Sequence, residues 1–156
     1  MSKKWILIAA SGGVAVVAAV FFFAGVSLSF NAWSHQPSMA ADAGEAFAAA
    51  AFVEGDAGRA FTLLTPAPAE EVSVDQLAEI LAQLHRDGRP DSVDAIEYEP
   101  LPGYRGMGIY IEGESAERVF YYRLLMEGTS LAGYTISGFW RGSGPYPNPE
   151  DRKPLR

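Results

Sequence analysis

Three patterns of hydrophobic spacing follow one another along the 156 residues. The first is an unbroken apolar run: Ile6 to Phe30 is apolar apart from small residues, and no formal charge lies between Lys4 and Asp42. A helix over this run measures about 37 Å at about 1.5 Å per residue, against about 30 Å of bilayer hydrocarbon, so it predicts one membrane-spanning helix with some tilt. Lys3 and Lys4 precede it, acidic Asp42 is the first charge after it, and Trp5 and Trp33 bracket it as interfacial anchors. The positive-inside rule then leaves residues 1–5 in the cytoplasm and residues 31–156 outside. The alternative is a cleaved signal peptide and a secreted product, with Ser38-Met39-Ala40 as the cleavage site. A signal peptide's apolar region usually runs about 7–15 residues and ends beside its cleavage site, which favours an uncleaved anchor here. Ser11, Ala15 and Ala19 form a small-residue stripe in the span, but Ala and Gly are so common there that chance explains the spacing.

The second pattern is helical. Ala40 to Glu54 is rich in alanine, places Phe47 and Ala51 one turn apart and ends at Gly55. Asp56 caps a second helix through Leu64, stopped by Thr65-Pro66. Ser73 with Gln76 makes a capping box, opening a helix whose Val74, Leu77, Ile80, Leu81 and Leu84 share one face. Arg86 suits the negative end of that helix, and Gly88 closes it.

The third pattern alternates. Ser92–Glu99, Gly106–Glu112, Glu117–Met126 and Leu131–Arg141 are rich in β-branched and aromatic residues, and Pro, Gly and acidic turns separate them. They predict four strands paired antiparallel in sequence, with hairpin turns at Glu112–Ser115 and Glu127–Ser130. Phe120, Tyr122, Leu124 and Met126 fall on one face of the third strand, and Tyr134, Ile136, Gly138 and Trp140 on one face of the fourth. That face is expected to meet the helices; Tyr121, Arg123, Thr135, Ser137 and Arg141 are expected on the other. Helices first and an antiparallel sheet second make an α+β layer architecture over residues 42–141. Residues 31–41 form a connector, and residues 142–156, with Pro145, Pro147, Pro149 and Pro154, form a tail expected to lack fixed structure.

Charge narrows the partners. The whole chain carries −7, and from Asn31 onward 10 Lys and Arg face 19 Asp and Glu. No basic patch is available for phosphate, so nucleic acid is not an expected partner, nor are anionic lipid headgroups. With no cysteine, the chain forms no disulfide, zinc thiolate, thiol nucleophile or lipid-modified Cys.

Candidate chemistry is sparse. Asp91, Asp94, Glu97 and Glu99 alternate along a strand and lack the spacing and Gly of a calcium loop, so a solvated strand face explains them. Gly103, Gly106 and Gly108 lack the following helix and Lys of a phosphate loop and are expected to mark a bend or bulge. His85, near the end of its helix beside Arg86, is expected to face solvent or to suit the negative end of the helix dipole; His35, beside Trp33, is expected at the membrane interface. Tyr98, Tyr122, Tyr134 and Trp140 are candidate lining residues of an apolar binding pocket, with core packing the simpler explanation. No catalytic residue, metal ligand or cofactor site emerges.

The phrases Glu45-Ala-Phe-Ala to Glu54-Gly-Asp56, Ala60-Phe-Thr-Leu-Leu-Thr-Pro66 and Tyr134-Thr-Ile-Ser-Gly-Phe-Trp140, in this order, resemble the nuclear transport factor 2-like superfamily. Relatives often carry Trp before the Ile of the last strand, where this chain has Tyr134-Thr135-Ile136. The resemblance implies a cystatin-like cone: a curved sheet wrapped around helices, open at one end to a pocket, on a single bacterial-type membrane anchor. Some members are isomerases, dehydratases or cyclases, and others bind ligands or proteins. Together these expectations describe a membrane-anchored extracytoplasmic binding or assembly module, taking an apolar small ligand or membrane-complex subunits. The alternatives are a pocket enzyme of isomerase or hydrolase type, with Glu97 or Glu99 as general base, and a self-associating structural protein, a homodimer through its sheet faces.

Overall fold

A computed structural model describes residues 35–101, 106–146 and 152–155. The expected membrane span, Ile6 to Phe30, lies outside the described residues. Among the described residues no helix is long and apolar enough to cross a membrane.

The helical half comprises α1 (Pro37–Ala48), which runs on as a π-helical stretch Ala49–Glu54, then α2 (Ala57–Phe61), α3 (Pro66–Glu71) and α4 (Val74–Leu84). Pro37 supplies the first turn of α1 with a preset φ and no N–H to satisfy. The small residues behind it let the helix lie close on the sheet. A Cβ at Gly44 would stand 3.3 Å from Leu124 Cδ1. Asp56 caps α2, its Oδ1 accepting from the Arg59 amide at 2.9 Å. The helix expected to reach Leu64 stops at Phe61, because Leu63–Thr65 instead run beside the last long strand. There Thr65 N–H donates to Ile136 O at 2.8 Å and Ile136 N–H donates to Leu63 O at 2.9 Å. The capping box of α4 has both halves in place, Ser73 N–H to Gln76 Oε1 at 2.9 Å and Gln76 N–H to Ser73 Oγ at 3.2 Å. Its buried strip is narrower than expected: Leu77 and Leu81 are covered, whereas Val74 and Ile80 stand in solvent.

The sheet has five strands where four were expected: β1 (Ser92–Pro100), β2 (Gly106–Glu114), β3 (Val119–Thr129), β4 (Gly133–Gly142) and β5 (Lys153–Pro154), in the order β4-β3-β2-β1-β5. All pairings between these strands are antiparallel, and the two sequential hairpins, β2–β3 and β3–β4, form, with their connections at 115–118 and 130–132, later than the expected turns at Glu112–Ser115 and Glu127–Ser130. The extra strand comes from the stretch expected to lack structure. Pro154 is tolerated because β5 is an edge strand, where a missing N–H breaks no ladder.

Two bulges decide which side chains reach the helices. One residue is extra in β1 between Ala95 and Glu97, and another in β4, where Met126 pairs with Ile136 but Leu125 pairs with Gly138. Strand side chains alternate with period two, so one extra residue reverses the faces beyond it. Phe120, Tyr122, Leu124 and Met126 all meet the helices, as do Tyr134 and Ile136 before the β4 bulge. After it Phe139 turns inward and Trp140 outward, the reverse of the expected parity. Arg141 correspondingly moves to the helix side. Of Gly103, Gly106 and Gly108, expected to mark a bend or bulge, Gly103 lies outside the described residues, and Gly106 and Gly108 pair in regular register within β2, with no bulge.

The core lies between the helices and this inner face. Phe47, Phe52, Leu77, Leu81, Ile109, Ile111, Tyr122, Leu124, Met126 and Ile136 form its fully buried large side chains. The molecule is therefore an α+β protein: helices on one face of an open, five-stranded antiparallel sheet.

Candidate functional site

The four aromatic residues expected to line one pocket are distributed over three environments. Tyr122 is wholly buried in the core and Tyr134 nearly so, its hydroxyl accepting from the Gln36 amide at 2.7 Å. Trp140 is 50% exposed on the outer face, its ring lying against Gly138. Tyr98 alone lines a cavity, of about 300 Å³, together with His35, Pro37, Pro100, Leu101, Gly106 and Met107. The cavity is mostly apolar, with the Tyr98 hydroxyl and the His35 ring as its side-chain polar groups, and it sits at the lower end of the size range of small-molecule sites. Met107 and Pro100 carried no sequence signal for it, because paired β1 and β2 register brings them side by side.

His85 corrects a second expectation. Instead of facing solvent it is 6% exposed. Helix α4 ends at Leu84, and His85 leaves the helical conformation as its C-cap, with the imidazole beneath the π-helical stretch. Nδ1 lies 3.0 Å from Leu81 O and Nε2 lies 2.8 Å from the Tyr122 hydroxyl. A carbonyl only accepts, so Nδ1 carries the proton and donates, and Nε2 accepts the proton of Tyr122. Phe52 completes the group, stacked on Tyr122 with ring centroids 4.2 Å apart. Burial lowers the His85 pKa, opposed by the Leu81 carbonyl and reinforced by Arg89 and Arg141; burial raises that of Tyr122. The pair is satisfied, neutral and sealed, so it positions α4 on the sheet rather than presenting a proton to a substrate.

A sign follows for stability against pH. His85 takes up its proton at lower pH when folded than when unfolded, so the unfolded state binds more protons as pH falls below about 6.5. Stability contributed by neutral His85 is complete above that value and is lost on acidification, by at most about 1.4 kcal/mol per pH unit for one proton. Denaturant midpoints of the wild type should fall between pH 7.5 and 5 more steeply than those of His85→Gln; parallel curves would assign the acid sensitivity elsewhere.

Around this core runs a rim of charge. Arg141 donates to Leu84 O at 2.6 Å and, through two nitrogens, to Asp87 at 2.7 and 2.9 Å, while Arg118 reaches the same carboxylate at 2.7 Å. Both guanidinium groups lie over the Phe120 ring, at 4.7 and 4.8 Å from its centroid. The Arg141 hydrogen bonds hold the Asp87 carboxyl well below the usual carboxylate range.

The outer face carries a second polar group. Glu99 on β1 receives the Tyr110 hydroxyl at 2.7 Å from β2 and Arg123 at 3.0 Å from β3. Gly108 lies beneath this pair, where an added Cβ would make ordinary contact at 3.4 Å from Glu99 Oε2 and 3.5 Å from Arg123 Nε. Glu97 pairs with Arg152 from the tail, and that guanidinium lies 3.9 Å from the Tyr110 ring centroid. Tyr110 is only 5% exposed, and burial together with the Glu99 bond raises its pKa. The acidic run therefore divides: Asp91 and Asp94 are exposed, whereas Glu97 and Glu99 are half-buried and engaged by arginine. Neither glutamate faces the cavity, and both present their oxygens to cations rather than to a proton donor on a substrate. The tail's part in this face carried no local signal, because Arg152 meets Glu97 across 55 positions of sequence.

Among the described residues no three His, Asp or Glu side chains converge as metal ligands. Among the described residues, fold and site thus define an α+β domain with a small, mostly apolar cavity beside Tyr98 and two arginine–carboxylate clusters. Comparison with protein-family models, with curated proteins and with solved structures found no match to this chain.

Proposed function

We propose that the protein is a single-pass, membrane-anchored binding module: residues 6–30 span the bilayer, the N-terminus is cytoplasmic, and the α+β domain stands outside and holds an apolar small molecule. The cavity formed by Tyr98, Met107, Pro100, Leu101 and their neighbours carries the binding reading. It offers apolar walls with one hydroxyl and one imidazole, which suits orientation of a ligand better than acid–base chemistry. Glu97 and Glu99 weigh in the same direction: both lie outside the lining of that cavity, each ion-paired to an arginine, so neither is within reach of a proton on a ligand held there. A nuclear transport factor 2-like cone is the architecture we assign to it, on the order of its elements and on the two bulges, which bend strands at β1 and β4.

The cysteine-free chain makes the topology simple to test. In intact cells a membrane-impermeant maleimide should label Ser143→Cys, on the exposed end of the domain, and should spare Ser2→Cys. The reverse labelling pattern would overturn the topology. Native mass spectrometry of the detergent-extracted chain should show a bound apolar compound that Met107→Trp, which fills the cavity, reduces at least tenfold. Equal occupancy in both forms would remove the cavity from the reading.

A further inference from the structure

The cavity beside Tyr98 has a polar end that its apolar walls do not explain. His35 lines it, and His35 Nδ1 is shut off from solvent with no hydrogen-bond partner among the described residues. A buried polar atom left unpaired is a cost that a partner removes, so this nitrogen marks where the polar end of a ligand belongs. Tyr98 adds a hydroxyl to the same lining. Imidazole and phenol can both donate to an anion, and imidazole can also take up a charge to match it. Helix α1 begins at the cavity with Pro37 and has no acidic residue in its first turn, so its positive end adds to the same sign. The acidity of the chain as a whole has no representative there: no carboxylate lines the cavity, and Glu97 and Glu99, next to Tyr98 in sequence, are outer-face groups each held by an arginine.

We infer that the cavity takes a single-chain monocarboxylic acid, its carboxylate received by His35 Nδ1–H and the Tyr98 hydroxyl and its hydrocarbon chain lying along Pro100, Leu101 and Met107. The inference rests on the cavity reading above and adds the chemical class of the ligand. A volume of about 300 Å³, at the lower end for small-molecule sites, suits one chain of medium length and not a two-chain lipid. An alkylammonium ion would meet no counter-charge in this lining. An alcohol of the same length would fill the apolar part equally well but would forgo the stronger hydrogen bonds that a charged acceptor makes.

Binding of decanoate, decanol and decyltrimethylammonium to the full chain in maltoside micelles tests it. Affinities are compared as ratios between protein variants, so that partitioning of each probe into the micelle cancels. The decanoate-to-decanol ratio should fall by at least about tenfold in His35→Phe, the size expected for losing a hydrogen bond to a charged group, and in the same direction in Tyr98→Phe. Met107→Trp, which fills the cavity, should weaken decanoate and decanol by a similar factor. The chain has two histidines, so ring-labelled histidine gives two sets of magnetic resonance signals. Decanoate should move those of His35 and leave those of His85, which is enclosed in the core, in place. The His85 signals also report in every variant that the core is intact. An unchanged ratio in a His35→Phe chain that keeps its His85 signals overturns the carboxylate assignment and leaves the cavity reading standing, as does tighter binding of decyltrimethylammonium than of decanoate by the wild type. Affinities for all three probes that Met107→Trp leaves unaltered remove the cavity reading and the inference with it.

Discussion

Replacing Phe52 with alanine should lower the free energy of unfolding by about 3–5 kcal/mol, the cost of removing a large aromatic ring from a core that cannot collapse around the gap. Phe52 is 0% exposed and stacks on Tyr122, and it meets Phe47 edge-on at 5.7 Å and Phe139 at 6.0 Å. The loss also uncovers the His85–Tyr122 hydrogen bond, admitting water to a pair now wholly enclosed. Denaturant unfolding should show a lower midpoint with an unchanged slope, since the surface exposed on unfolding hardly alters. Phe139→Ala, at a site that is only partly buried, should cost less. A Phe52→Ala loss below about 1 kcal/mol would mean that the aromatic stack is not the centre of the core.

Gly128→Val should destabilise by at least about 3 kcal/mol, although the site lies at the end of a hairpin where substitutions are ordinarily mild. Gly128 has φ +134°, a conformation that a β-branched residue resists at about 1–3 kcal/mol by itself. A Cβ there would also collide with the Gly133 carbonyl oxygen across the hairpin and stand 3.0 Å from Tyr134 Cα, backbone that moves only if the β3–β4 register gives way. Gly133 provides the internal comparison. Its φ is +81° but nothing lies within 4 Å of an added Cβ, so Gly133→Ala should cost only the conformational term, about 1–2 kcal/mol. Thermal unfolding of the two variants side by side separates steric from conformational strain; equal losses would refute the separation.

How far the fold was legible follows from which forces are local. The capping box of Ser73 and Gln76, the Asp56 cap and the inward set Phe120, Tyr122, Leu124 and Met126 depend on residues a few positions apart, and spacing reveals them. The bulges do not. Whether Ser137 is the extra residue of β4 depends on what β3 offers opposite it, and with the bulge unseen the parity beyond it was reversed, placing Trp140 inward and Phe139 outward. His85 was misplaced for a related reason. A histidine in the last turn of a helix is ordinarily exposed, and the Leu81 carbonyl alone would not bury it; the second partner, the Tyr122 hydroxyl, lies 37 positions away. The candidate site suffered most, because the cavity joins His35 and Pro37 to β1 and β2 residues that have no periodic relation to them. β5 was hidden by its prolines, which argue correctly against an inner strand and say nothing against a two-residue edge.

Part of each margin of the sheet is occupied by another stretch of the same chain: Leu63–Thr65 beside Ile136 of β4, and Lys153–Leu155 beside Ile96–Tyr98 of β1. Free strand margins are templates on which proteins stack into fibres, and charge or proline at the rim is a common defence. Here proline and lysine sit on the covering piece itself, so the protection is detachable. Cleavage before Arg152 would free Lys153–Leu155 from β1, take Leu155 away from the core and turn a well-behaved domain into one with an open seam. Attachment of the Arg152–Leu155 segment therefore bears on solubility as well as on packing.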